Sequence, residues 1–470
     1  MLTDRDTIEN AMTEIIFDGY LDELVDKLDK QEISHHLPLS HEIPCKFITS
    51  YWVVAGIKNC IILVHGPDGC AFAAKELRHH NTNFCGCRYD FTASTGLNET
   101  TIIFGGEGRL ANAILEIDQK HHPELIAVLT TCSSGIIGDN IDGIINDVKG
   151  RIRSRIFTIK CEGFSGDFRC GYDEAYVALT QLMRPGKKRR GYVNILGTRK
   201  GPEPLFGQGE YREIIRMVES LGLKINAIIS GGCTLGQIEK AAQVECNVAW
   251  CSDLGIRLGE VMEEKFAIPY IKDGMPYGYS ETLHYINAIA SLTGREKEAQ
   301  AFIAAETSRI GPMLEETKQL VKNKSAIVSL GPIRSIHLAN FLRQDLGMNI
   351  ILHNLHPFQI KERRAIVRHF LSRDVNPRIV ITSGSYTFGA YDAMKQEDDD
   401  SRGLSDPEST LFFGSIYQFP GVPMVNIDRQ ESFPHVGFKG IENICYYIKN
   451  AIEQFKRPRS EMLRRAIYGD

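Results

Sequence analysis

From Cys60 onward, short apolar runs alternate with helical stretches, and this alternation restricts the fold more than any other feature of the chain. Candidate strands are Ile61–Val64, Thr101–Phe104, Leu125–Leu129, Ile156–Ile159, Val193–Leu196, Ile225–Ile229, Ala326–Leu330, Asn349–Leu352 and Ile379–Thr382. Helical stretches between them include Arg109–Lys120, Asp173–Met183, Tyr211–Leu221, Leu254–Phe266, Ser335–Leu346 and Ile360–Leu371. Near-continuous apolar strands, without polar alternation, belong to parallel sheets buried on both faces by helices. The expected class is therefore α/β, built as three Rossmann-like parallel-sheet domains. Such sheets bind their ligands beyond the carboxyl ends of the strands. Upstream of the alternation, Asp4–Gln31 reads as an amphipathic helix pair.

A chain of 470 residues is too long for one core. Two breaks divide it: the Pro/Gly turn and basic run Arg184–Arg190, and the long helical stretch Arg295–Lys324. The expected domains are 1–188, 189–323 and 324–470. A net charge of −5 gives no electrostatic footprint for nucleic acid. No apolar run approaches the ~20 residues of a membrane span, and the first residues are polar and acidic, unlike a secretory signal. The expectation is a cytoplasmic protein whose twelve cysteines are reduced thiols.

Three of those cysteines stand in suggestive contexts. Cys70 ends the turn His65-Gly66-Pro67-Asp68-Gly69-Cys70, which follows a strand and opens a helix. A helix N-terminus favours thiolate, the form that binds metal. Cys132 follows the strand Leu125–Leu129 through Thr130-Thr131, and Cys45 follows Pro44. Positions 45, 70 and 132 are too widely separated for the local Cys-x-x-Cys spacing of zinc ribbons and ferredoxins. Cys70 and Cys132 nevertheless fall at the carboxyl ends of neighbouring strands, where side chains converge. Three convergent thiolates suit an iron–sulfur site that another chain or ligand completes. Three separate buried thiols account for the same residues on burial grounds. Cys251, after the strand-like run Asn247–Trp250, and His435, before a final helix, read on spacing alone as structural residues.

Other patterns are weaker. Gly105-Gly106-Glu107-Gly108 and Gly231-Gly232-Cys233-Thr234 match neither a Rossmann fingerprint nor a P-loop, and read as tight strand–helix turns. The chain is not expected to hydrolyse ATP itself. No Gly-x-Ser-x-Gly elbow is present. The run Glu397–Asp400 reads as a solvated loop.

Taken in order, Cys45, His65–Cys70, Phe91–Ser94 with Ile103–Gly106, and Thr130–Cys132 with Ile137–Asp139 resemble component 1 of nitrogenase and its relatives, alpha-type subunits in particular. The likeness runs on through Cys161–Gly166, Cys251, Met262–Pro269 and His435, over nearly the whole chain. It implies that Cys45, Cys70 and Cys132 are one chain's share of a P-cluster, an 8Fe–7S centre at the interface with a homologous beta-type chain. It implies that Cys251 and His435 hold a complex iron–sulfur cofactor, either FeMo-co-like or an all-iron L-cluster-like group. Arg78 and Val53 match residues lining that cofactor's cavity. Cofactors would lie between domains and at the subunit interface. The implied assembly is an alpha2-beta2 heterotetramer that takes electrons from an ATP-hydrolysing 4Fe–4S iron protein and acts on a small-molecule substrate.

One window departs from the dinitrogen-reducing pattern. The glutamine and histidine expected after Cys-Glu-Gly-Phe are replaced by Asp167–Glu174, with Tyr172 among them. Tyrosine cannot take over the acid–base chemistry of histidine near neutral pH. The resemblance then points to a nitrogenase-like reductase of the methylthio-alkane reductase type, which cleaves C–S bonds of small methylthio compounds to methanethiol and a hydrocarbon. The alternatives are an unusual nitrogenase alpha subunit and a non-catalytic scaffold for cofactor assembly. Cys85 and Cys87 match no ligand of the family.

Overall fold

A computed structural model describes residues 15–30, 32, 45–79, 91–197, 208–249, 251, 254–272, 275–330, 332–353, 371, 376–382, 409–414, 422–427 and 433–456. The chain enters through β1 (Ile15–Tyr20) and the helix Leu21–Asp29. The expected helix pair over Asp4–Gln31 is thus corrected: its described part is a strand followed by one helix. Ile15, Phe17 and Tyr20 are apolar or aromatic residues suited to an edge strand, and Phe17 is buried.

Three sheets follow. The first contains β2 (Cys60–His65), β3 (Thr92–Ser94), β4 (Leu125–Thr130) and β5 (Arg155–Ile159), all parallel, in the order β3-β2-β4-β5. The second contains β6 (Arg189–Leu196), β7 (Lys224–Ile228) and β8 (Val244–Ala249), parallel, in the order β7-β6-β8. The third contains β9 (Ser325–Ser329), β10 (Asn349–His353), β11 (Arg378–Thr382), β12 (Thr410–Gly414) and β13 (Met424–Asn426). Its order is β1-β11-β10-β9-β12-β13, with β1 alone antiparallel. The N-terminal strand therefore closes an edge of the last sheet.

Successive residues of a strand point to opposite faces, and β2 shows why its run carries no polar alternation. Ile62 and Val64 join a core that continues through all three sheets, whereas Ile61 and Leu63 pack with Leu110, Ile114 and Ile144 on the other face. Each side chain so buried contributes ~1.5–3 kcal/mol. The helix Lys46–Val54 is buried on every side, its polar Lys46, Thr49 and Ser50 included, so it has no exposed face. It packs against the helix Phe168–Ala178.

One expected strand is a helix. Thr101–Phe104 lies in the helix Glu99–Phe104. Asn98 caps it: the Thr101 N–H donates to Asn98 Oδ1 at 3.2 Å, and the Asn98 N–H donates to Thr101 Oγ1 at 2.7 Å. Its apolar residues face outward, with Ile103 74% and Phe104 83% exposed. A short apolar run does not by itself separate a buried strand from a helix, and among the described residues this segment pairs with no strand. Gly105-Gly106 consequently joins two helices. The expected helix Ile360–Leu371 and the loop Glu397–Asp400 lie outside the described residues, apart from Leu371. Among the described residues, no helix is long and apolar enough to cross a membrane.

Candidate functional site

The turn from β2 into the helix Asp68–His79 is fixed by His65. Its imidazole is fully buried, with Nδ1 3.1 Å from Thr95 Oγ1 and Nε2 2.9 Å from Asp139 Oδ2. Burial pushes the His65 pKa down, and the Asp139 bond only partly offsets it. The other oxygen of Asp139 accepts the Gly106 N–H at 3.0 Å, so a carboxylate already occupies the Gly105-Gly106 turn. Gly66 is required by close approach: a Cβ there would stand 2.2 Å from Thr131 Oγ1. This pins the Cys70 turn against the residue preceding Cys132.

The three cysteines converge. Cys45 caps the helix Lys46–Val54, Cys70 lies in the first turn of Asp68–His79, and Cys132 opens the helix Cys132–Ile137. Gly163 sits between two of them. Its N–H donates to Cys132 Sγ at 3.2 Å, and a Cβ on it would meet Cys132 Sγ at 3.2 Å and Cys45 Cβ at 3.5 Å. The Cys70 thiol feels both partners: burial pushes its pKa up, and the charges of Cys132 and Cys45 push it further. Thiolate at this helix start, expected from the macrodipole, is outweighed in the metal-free chain. A bound cation reverses that balance. Among the described residues no three His, Cys, Asp or Glu groups stand close enough to hold a single ion.

Cys45 and Cys132 are both exposed. Around this face lie Phe104, Ile103, Ile136 (76% exposed) and Phe164 (63% exposed), carried by helices that pack together and by the turn holding Gly163. An exposed apolar surface of this kind is suited to burial against another chain. Beneath it, Lys46 is buried, with its ammonium 2.9 Å from Ser165 Oγ and 2.9 Å from Glu174. Sequence reasoning passed over Gly163 and Lys46. Their only signal was adjacency to Cys45 and membership of the Cys161–Gly166 turn.

Neighbouring cysteines behave differently. Cys161 is fully buried and its thiol donates to the Thr130 carbonyl at 3.2 Å, and burial holds it far above the usual thiol range. Burial pushes Cys246 up to about 12 and Cys445 up to about 11. These are core thiols. Cys85 and Cys87 lie outside the described residues, as does the Arg78 side chain. Val53 is fully buried, and its carbonyl accepts from Ser230 Oγ at 2.6 Å. Tyr172 is buried with its ring 6.3 Å from that of Trp52. Both residues belong to the common core.

Cys251 follows β8 and is nearly buried. Gly197 and Gly255, both left-handed (φ 85° each), let the chain after β6 pass against the segment beyond Cys251. A Cβ on Gly255 would lie 2.4 Å from Gly197 N. The Leu254 N–H points to Cys251 Sγ at 3.5 Å. His435 is also buried, and its Nδ1 lies 3.2 Å from Glu210 Oε1. Its Nε2 has no hydrogen-bond partner among the described residues. Burial pushes the Glu210 carboxyl up, but the His435 bond and the charges of His435 and Arg334 outweigh it and hold it below the usual range. The helix Gly278–Thr293 links the two regions. Tyr285 on it donates to the Ala249 carbonyl at 3.1 Å near Cys251, while Pro276 just ahead of it accepts the Gly437 N–H at 2.7 Å near His435. Thiol and imidazole are both groups that can ligate a metal. Glu210 was not foreseen; it lies 225 positions from His435.

A family model described as nitrogenase component 1 type oxidoreductase matches residues 45–453. The chain is 31% identical over 315 residues to the nitrogenase iron-molybdenum cofactor biosynthesis protein NifE of Clostridium pasteurianum, covering 66% of this chain and 67% of that protein. It is 28% identical over 330 residues to the nitrogenase molybdenum-iron protein alpha chain of Methanosarcina barkeri, covering 65% of this chain and 58% of that one. A solved chain titled "Nitrogenase Cp1 at pH 6.5" superposes with a TM-score of 0.70 at 18% identity, over 88% of this chain and 92% of that chain, a likeness of fold.

Proposed function

The chain belongs to the nitrogenase component 1 type oxidoreductase family, and from that premise we propose that it is an alpha-type subunit that carries a complex iron–sulfur cofactor as a scaffold during cofactor assembly. Its likeness to NifE proteins at 31% and 27% identity gives this reading its main support. The observation that carries it is the presence of two separate donor sets: the trio Cys45, Cys70 and Cys132, with Cys45 and Cys132 exposed and Cys70 half-buried, and the buried pair Cys251 and His435.

The trio is one half of a P-type 8Fe–7S cluster, and its exposure beside Phe104, Ile136 and Phe164 suits completion by a homologous beta-type chain. The assembly is an alpha2-beta2 heterotetramer in the cytoplasm, served by an ATP-hydrolysing 4Fe–4S iron protein. Residues 1–188, 189–323 and 324–470 are its three units, with β1 crossing from the first into the sheet of the third, and the family likeness assigns Arg78 and Val53 to the second group's cavity, with Tyr172 where dinitrogen reducers carry histidine. When bound, that second group supplies low-potential electrons and open iron or heterometal positions. The protein sets its burial, hydrogen bonding and access.

A second reading keeps the same sites but makes the chain catalytic: reductive C–S cleavage of methylthio compounds, or dinitrogen reduction with a proton donor other than histidine. The bare Nε2 of His435 favours it, because a catalyst must retain its cofactor and a scaffold must release it. The two separate by experiment. The loaded complex is incubated with a cofactor-free alpha-chain complex, and in parallel with iron protein, ATP and a methylthio substrate under gas chromatography. The scaffold reading expects cofactor handover without methanethiol. Sustained methanethiol release without handover replaces it with the reductase.

A further inference from the structure

Resting on the reading above that His435 helps hold the second cofactor, we infer that Glu213 is a positioning residue: it caps the helix Gly437–Phe455 from a neighbouring helix and so fixes the backbone that carries His435. That helix begins without a cap of its own. Val436 stands at the N-cap position and has no side-chain oxygen, so the first N–H groups need acceptors from elsewhere. The Gly437 N–H donates to the Pro276 carbonyl at 2.7 Å, and the Lys439 N–H donates to Glu213 Oε1 at 3.1 Å. The helix macrodipole also favours a carboxylate at this end.

The contact is close on every side. Gly437 is left-handed, with φ 68°, and a Cβ on it would stand 2.6 Å from Glu213 Cγ. One turn earlier on the helix Gln208–Ser220, Glu210 Oε1 lies 3.2 Å from His435 Nδ1, and a Cβ on Gly209 would stand 2.6 Å from the Phe433 carbonyl carbon. The helix therefore meets the segment Phe433–Lys439 through Gly209, Glu210 and Glu213, with His435 in the middle. From the other side, a Cβ on Gly440 would stand 2.2 Å from the His435 carbonyl carbon. Glu213 is itself braced. Its side chain is 2% exposed, and Arg216 donates to both of its oxygens at 2.7 Å. Arg216 Nη1 in turn reaches Glu306 Oε1 at 2.7 Å. A bidentate pair fixes geometry as well as adding energy. Lys439 is thus tied to a carboxylate that cannot swing, and His435 lies one helical turn before Lys439.

Two variants of the full-length chain separate capping from ion pairing. Glu213→Met removes the acceptor. Glu213→Gln keeps an oxygen for the Lys439 N–H and gives up the charge shared with Arg216. In the cofactor-free chain, exchange of the Lys439 amide is measured against the amides of β2, which report general loss of stability. It should quicken about 10-fold or more in Glu213→Met, as loss of a bond to a carboxylate implies, and stay slow in Glu213→Gln. Where Glu213→Met does not fold, Glu213→Asp, which keeps the charge but shortens the reach, takes its place with the same expectation. In the reduced complex, spin-echo EPR with 15N-histidine is expected to show one directly bound nitrogen. Glu213→Met should weaken that coupling and lower affinity for the second cofactor about 10–100-fold, Glu213→Gln should restore both, and the iron at Cys45, Cys70 and Cys132 should stay in each. Unchanged Lys439 exchange or unchanged histidine coupling in Glu213→Met overturns the inference. So does a Glu213→Gln variant as impaired as Glu213→Met, which would make Glu213 a partner of Arg216 and nothing more. An unsubstituted complex with no second cofactor defeats the proposed function instead, and the exchange measurement still decides the cap.

Discussion

Gly163 and Cys132 are joined by a backbone bond: the Gly163 N–H donates to Cys132 Sγ at 3.2 Å, on the face that Cys45 and Cys132 expose. With iron bound, a main-chain donor aimed at a sulfur tunes the cluster through that sulfur. The same closeness leaves no room for a side chain.

Gly163→Ala is expected to lower the iron bound at the thiol trio. Its Cβ would stand 3.2 Å from Cys132 Sγ, tighter than ordinary contact and tighter still against a cluster. The cost to the iron-free fold is ~1 kcal/mol, a Tm shift of about 2–4 °C or less. Iron quantitation beside a thermal melt separates the two effects.

Cys132→Ala and Cys161→Ala should part company. The first removes a ligand and empties the trio of iron. The second deletes a buried thiol bonded to the Thr130 carbonyl, so it keeps the iron and costs ~1–2 kcal/mol of stability. Equal iron loss in both would show that Cys161 had been wrongly set aside.

Gly66→Ala is expected to destabilise the chain by ~1–3 kcal/mol through overpacking, because the added methyl meets Thr131 Oγ1 at 2.2 Å and Cγ2 at 2.5 Å. In a Thr131→Ala background those two atoms are gone and the penalty should shrink. A double-mutant cycle in urea measures the coupling.

His65 should make stability pH-dependent. The unfolded chain protonates this imidazole near its ordinary value of 6.5, and the folded chain only at lower pH. Between those limits the unfolded state binds more protons, so unfolding free energy rises with pH and is complete above 6.5. His65→Gln should flatten that part of the profile in urea titrations from about pH 5 to 7.5. An unchanged slope would assign it to another group.

The parallel strands were legible because burial on both faces leaves an uninterrupted apolar run, as in Cys60–His65 and Leu125–Thr130. Thr101–Phe104 shows the limit of that signal. Its apolar residues face outward on a capped helix, on a face we assign to a partner chain, and composition alone does not tell core from interface. The helix Lys46–Val54 is buried on all sides and so lacks the periodicity that marks most helices. The thiol trio was legible from strand ends and family likeness. The Glu210–His435 pair was not, because no local pattern connects residues brought together only by packing between units.

Iron quantitation with EPR on the purified complex beside its Cys251→Ala variant decides whether this chain holds two independent iron–sulfur sites. The variant should lose a distinct part of the iron and one EPR signal, and keep the iron and the signal that depend on Cys45, Cys70 and Cys132. Identical iron content and spectra in the two proteins would mean that Cys251 holds no iron.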